Sequence, residues 1–369
     1  MIHFLGEKLA ELIVKYSLEI KKGDRVYVTG HTLSEDLILA IYGELLKAGA
    51  HPLLHPELVG ESELRYRYSS EDQLKYLDDV FLKVVEEFDA FIQIFDDYNT
   101  KKLTFVDPEL IKLSQGSAGR MKMMQTFNIR TKKKELNWVI IPYPCQSLAQ
   151  EGNMDLYTYT EFVNKALLLD KEDPIAEWKK IRQKQDDICN HLNKAEQIQV
   201  IGEDTDLKVS VKGRTWENCC GLVNLPDGEV CTSPLEDSAN GHIRFTYPGI
   251  YQGREIENIY LEFKDGKVVN YSADKGVDLL EKLLSIRNAN NLGEFAIGTN
   301  YGITQFTKNM LFDEKMGGTM HCALGMGIVE SGSKNFSTVH WDILKDMKVP
   351  SSKIIADGKT IYEEGKWLI

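Results

Sequence analysis

Apolar positions in the first half of the chain alternate between helical and strand spacing. Leu5, Leu9, Leu12, Ile13 and Tyr16 share one helical face, and the Gly23-Asp24 pair then turns the chain into the strand Arg25-Val26-Tyr27-Val28-Thr29. Ser34 stands where it can cap a following helix, which carries Leu37, Ile41 and Leu45 inward and stops near Gly49, before a short strand around Leu53-Leu54. Apolar runs at 90–95 and 138–141 predict two more strands, with helices over 71–87 and 108–124. This β-α-β rhythm predicts a parallel sheet covered by helices. Asp173-Pro174 then offers an N-cap and a first-turn proline for a polar helix that ends near Asn193.

Beyond that helix the pattern changes. Strands become short and antiparallel: 197–201, 207–211, a hairpin whose Asp265-Gly266 turn joins IYLEF to KVVNYS, and the apolar run 295–297, with one helix over 276–286. A chain of 369 residues is also too long for one ordinary core. The expected architecture is therefore an N-terminal α/β domain, residues 1–193, followed by a mainly antiparallel β domain, residues 194–369, α+β in sum.

Composition narrows the function. A net charge of −12, with 130–134 as the one basic cluster, argues against a nucleic-acid partner. Six cysteines without a CxxC, two of them the adjacent Cys219 and Cys220, give neither a zinc ribbon nor a disulfide framework and fit reduced thiols in the cytoplasm. The N-terminal MIHFLGEKLAELIVKY lacks a basic n-region and a small-residue cleavage site, and no apolar run reaches about 18 residues. A cytoplasmic chain without a membrane partner is expected. The parallel sheet carries no GxGxxG after its first strand and no GxxxxGK[ST]; Gly325-Met326-Gly327 has Glu330 where the third glycine should stand.

Acids, histidines and glycines are densest between Asp313 and Asp342. His340 and Asp342 stand two apart in an alternating segment, which on a β-strand sends both side chains out of one face. His321 lies in a second apolar segment, MHCALG, and Glu314 lies just upstream of Gly317-Gly318, a turn that can bring both towards the first pair. A lone histidine in an apolar strand is more often a hydrogen-bonded core residue; two in neighbouring segments, one beside an aspartate at strand spacing, point to a metal floor. Glu229 and Glu294 each follow a glycine and head an apolar strand. An acid so placed requires a cation or a donor if it is buried.

The segments NLPDGEVCTSP, GEFAIGTN, LFDEKMGGTMHCALG and KNFSTVHWD resemble, in this order and spacing, the M29 family of metallo-aminopeptidases, the group of the aminopeptidase T and AmpS-like leucyl enzymes. WVIIPYP at 138–144 and the Asp173-Pro174 region resemble it too, so that the likeness covers nearly the whole chain. It implies a site for two divalent metal ions in the C-terminal domain and a homodimer enclosing a chamber that admits short peptides. By motif, Glu229 would be the glutamate of the GEV segment, Glu294 the bridge between metals, and His321, His340 and Asp342 the remaining ligands. A mixed oxygen and nitrogen set suits Zn, Co or Mn. Glu229 or Glu314 is the candidate general base. One position departs: where family members usually carry Tyr followed by Pro, this chain reads Gly327-Ile328-Val329, so Ile328 replaces a phenol thought to help at the reacting carbonyl, with Tyr301 or Tyr247 as candidate substitutes. That loss leaves open a metal-dependent ring-opening dioxygenase of the dihydroxypyridine type, or a catalytically silent metal- or peptide-binding relative.

Overall fold

A computed structural model describes residues 5–369 and arranges them in two units, the first running to Ile175 and including Gly221–Leu225, the second made of Ala176–Cys220 and Pro226–Ile369. The first unit is built on four parallel strands, β1 (Arg25–His31), β2 (His51–Glu57), β3 (Ala90–Phe95) and β4 (Asn137–Pro142), in the order β2-β1-β3-β4. The central β1 is buried over most of its length because helices flank it, whereas the edge strand β2 alternates between half-buried and exposed positions.

The helices expected over 71–87 and 108–124 are each broken in two. Ser70 forms a capping box with Gln73 at the start of Glu71–Lys75, and Asp78 accepts from the Val80 N–H to start Asp79–Glu87. Ser117 likewise caps Ala118–Lys132 just after Pro108–Gln115 has ended at Gly116. Ser34 behaves differently from the sequence reading. Its hydroxyl donates to the buried Asp96 carboxylate, lies 3.1 Å from the His31 carbonyl, and makes no side-chain cap to the Glu35–Lys47 helix. Among the described residues no helix is long and apolar enough to cross a membrane.

The second unit holds an eight-stranded and a five-stranded antiparallel sheet, with the helix Pro174–Leu192 lying almost wholly within it. The α/β sheet followed by antiparallel β is thus the observed order. In the five-stranded sheet the strands run His340–Asp346, Thr319–Gly325, Leu292–Gly298, Glu229–Thr232, Glu217–Cys219 from one edge to the other. Alternation divides its two faces. Val230, Phe295, Ile297, Met320, Cys322, Trp341 and Ile343 enter the hydrophobic core, so the residues between them must face the other way.

Candidate metal centre

The face turned from the core carries the candidates. Ala323 pairs with Glu294 on one side and Asp342 on the other, His321 pairs with Ala296, Gly325 with His340, and Gly298 with Glu229. The residues of like parity are therefore Glu229, Glu294, His321, His340 and Asp342, separated by Ala296, Gly298, Ala323 and Gly325. Small residues between the ligand-type side chains keep the floor low. The register slips between Leu292 and Glu294, a bulge at Gly293, where a Cβ would overlap the carbonyl oxygens of Gly325 and Met326. Only glycine fits there, and the bulge re-aims Glu294 into the row. Gly228, ahead of Glu229, has φ +120° and lies so close to Asn300 that a Cβ would overlap it, so glycine is required there as well.

Two overlapping groups result. Glu229, Glu294 and His321 offer ligand atoms within 4.8 Å of one another, and so do Glu294, His340 and Asp342. His321 Nε2 lies 3.4 Å from Glu294 Oε1, 3.5 Å from Glu229 Oε2 and 3.8 Å from Asp342 Oδ1. His340 Nε2 lies 3.2 Å from Glu294 Oε2 and 3.5 Å from Asp342 Oδ1. Glu294 thus presents one oxygen to each histidine. The His340 Nδ1 atom is 2.8 Å from the Met326 carbonyl, which can only accept, so Nδ1 carries a hydrogen and Nε2 is the nitrogen turned to the site, able to ligate once it sheds its own proton.

The electrostatics of the site favour a positive charge. Glu229 Oε2, Asp342 Oδ1 and both ring nitrogens of His321 are buried without an aligned hydrogen-bond partner. Burial alone would neutralise these groups. Against that, the surrounding carboxylates raise His321 to about 9 and His340 to about 12, and the two histidines hold Glu294 and Asp342 below the usual carboxylate range. Protons here stand where a cation belongs: with neutral histidines, the buried carboxylates Glu229, Glu294, Asp342 and Asp227 outnumber the single ammonium of Lys315, which leaves an excess of negative charge. The residues present fit a divalent cation.

Lys315 adjoins this cluster, and no feature of its sequence context marks it. It is 1 % exposed, and its Nζ donates to Glu229 Oε1 at 2.7 Å, contacts Glu314 Oε1 and lies 3.9 Å from Asp227. Burial works against its charge, but Glu229, Glu314 and Asp227 raise it well above the usual lysine range. Glu314 ends the short Met310–Asp313 helix, and burial pushes its carboxyl up to about 8 despite Lys315. The Tyr301 hydroxyl donates to the Gly365 carbonyl (2.7 Å), and that of Tyr247 to Met316 Sδ (3.7 Å). Both phenols proposed as substitutes at the reacting carbonyl have other acceptors. Ile328 is half-buried, its N–H held by Ser233 Oγ at 2.7 Å.

The family model described as thermophilic metalloprotease (M29) matches residues 5–367. Aminopeptidase 2 of Geobacillus stearothermophilus is 26% identical over 98% of this chain and 97% of its own, and aminopeptidase T of Thermus thermophilus is 26% identical over 97% and 95%. Among solved structures, wild-type AmpT from Thermus thermophilus matches with a TM-score of 0.85 at 22% identity, covering 99% of each chain.

Proposed function

The chain belongs to the thermophilic metalloprotease (M29) family, and from that premise we propose that it removes N-terminal residues from short peptides, as a metallo-aminopeptidase using two divalent ions of the Zn, Co or Mn type. The observation that carries this reading is the pair of overlapping ligand groups that share Glu294. Glu229, Glu294 and His321 would hold one ion, and Glu294, His340 and Asp342 the other. When bound, such ions supply Lewis acidity to a water and to the scissile carbonyl.

The chain's own residues do the rest. Lys315 takes up Glu229 Oε1, so that Oε2 alone faces His321 and the cation. Glu314, with Oε1 on the same ammonium and a carboxyl raised to about 8, serves as the base only in its ionised form, which takes a proton from the attacking water on Oε2 and returns it to the amine leaving group. The working form is a cytoplasmic homodimer that restricts access to short peptides; sedimentation at micromolar concentration reads its mass. The relatives above carry aminopeptidase names, which lends the oxygenase alternative no support. A screen of aminoacyl-chromophore substrates with the metal-stripped protein, with and without added Zn, Co or Mn, tests the reading. No metal-dependent release of chromophore from any substrate would overturn it.

Ile328 sets the expected rate. If the phenol of other family members donates to the developing oxyanion, its loss costs roughly 10²–10³ in kcat and little in ground-state binding. Weak activity with an ordinary KM is expected, and Ile328→Tyr is expected to raise kcat by about 10² with KM nearly unchanged, in parallel steady-state kinetics. An unchanged kcat in a folded, metal-loaded variant would refute the missing-donor argument.

Metal and proton compete for the histidines. In the metal-free protein His321 is raised from 6.5 to about 9, so the stability it contributes is complete below pH 6.5 and is lost as pH rises through 9. Glu314, raised from 4.5 to about 8 and neutral in the fold, loses stability in the same direction. Thermal melts of chelator-stripped protein are expected to fall from pH 6.5 to 9, while metal affinity climbs across that interval because the ligand must shed its proton. Metal-loaded protein should therefore gain most over the stripped form at the alkaline end.

A further inference from the structure

Next to these nitrogen and oxygen ligands lies a set of softer ones. Cys231 occupies the ligand-bearing face of the Glu229–Thr232 strand, opposite Ala296, and Cys219 pairs with Glu229 on the adjoining edge strand. Their Sγ atoms are 3.7 Å apart. Both sulfurs and a carboxylate oxygen of Glu229 lie within 4.8 Å of one another. Cys231 is buried, and Cys219, on the edge strand, is half-buried.

The separation of the sulfurs decides between their possible uses. Two bonds of about 2.3 Å at a tetrahedral centre place their sulfurs about 3.8 Å apart. A disulfide needs about 2.05 Å, which here requires the two strands to be drawn together. The thiols already stand where a d¹⁰ ion would have them. Lys315 faces Asp227, Glu229 and Glu314, so the carboxylates around the pair outnumber the one ammonium.

We propose that Cys219, Cys231 and Glu229 form an additional site for a thiophilic divalent cation, such as Cd²⁺ or Zn²⁺, separate from the histidine-bearing groups. Soft thiolates select such ions over Mn²⁺. Because Glu229 belongs both to this triad and to the Glu229, Glu294 and His321 group, an ion in one draws on a ligand of the other. Excess soft metal then inhibits the Mn²⁺-loaded protein, and excess Mn²⁺ does not.

The test titrates full-length, Mn²⁺-loaded protein with Cd²⁺, following the ultraviolet sulfur-to-cadmium charge-transfer absorption and the protection of Cys219 from a maleimide. One equivalent of the band is expected in the wild type. It should persist in His321→Ala and weaken at least tenfold in affinity in Cys219→Ser and Cys231→Ser. Cys219→Ser decides the matter if Cys231→Ser does not fold, since position 219 lies on an edge strand and is partly exposed. Absence of the band in wild type, its survival in Cys219→Ser, its loss in His321→Ala, or formation of a Cys219–Cys231 disulfide in place of metal binding would each overturn the proposal. The band reports on the sulfurs whether or not peptides are hydrolysed, so its outcome stays separate from that of the peptidase reading.

Discussion

Glu294→Ala is expected to abolish metal-dependent turnover, lowering kcat on the order of 10³-fold or more, about 4 kcal/mol of transition-state stabilisation. The reason is geometric. Glu294 is the one residue common to the two His-bearing ligand groups, with Oε1 towards His321 and Oε2 towards His340. Its loss takes an oxygen from both, whereas Asp342→Ala or Glu229→Ala removes a member of only one of these two. Elemental analysis should accordingly find both ions depleted in Glu294→Ala, and one ion retained in Glu229→Ala. Full occupancy in a folded Glu294→Ala variant would refute the shared-ligand arrangement. Glu294→Asp is a useful companion: it keeps the charge but withdraws the carboxylate by one methylene, so partial metal binding with a depressed rate is expected.

The largest expected effect on stability follows Lys315→Met. Methionine fills a similar volume but leaves the Glu229 carboxylate, 5 % exposed, without its 2.7 Å donor. Breaking a buried pair from one side costs about 3–5 kcal/mol, because the remaining charge has no compensation. For a unit of this size that corresponds to a fall in Tm of roughly 10 °C. The double variant Lys315→Met, Glu229→Gln should recover part of the loss, since a neutral amide is far cheaper to bury. Metal should also rescue the single variant, because a divalent ion can take over neutralisation of Glu229. Equal melting of wild type and Lys315→Met in the metal-free state would show that the ammonium is not what holds Glu229.

Sequence and tertiary structure contributed different parts of this site. Strand period alone put His340 and Asp342 on one face, because successive side chains on a strand point to opposite sides whatever the neighbours are. The same logic singled out Glu229 and Glu294, acids heading apolar strands after a glycine, and the β-α-β rhythm fixed the class of the first sheet. Local signals also misled. The hydroxyl of Ser34 had a stronger acceptor in Asp96, some sixty residues away, and the capping sites at Ser70, Asp78 and Ser117 broke helices that apolar spacing had run together.

What remained hidden depended on register between strands far apart in the chain. Nothing near Lys315 in sequence reveals that its ammonium reaches Glu229, 86 positions earlier. Cys219 and Cys231 looked like unrelated thiols until antiparallel pairing set them diagonally across Glu229. The bulge at Gly293 and the Met326 carbonyl that orients His340 belong to the same class, since both arise from one strand meeting another. Periodicity along a single strand is written in the chain because covalent geometry enforces it. Which strands lie side by side, and which charges are thereby buried together, is decided only when the hydrophobic faces of the whole unit close on one core.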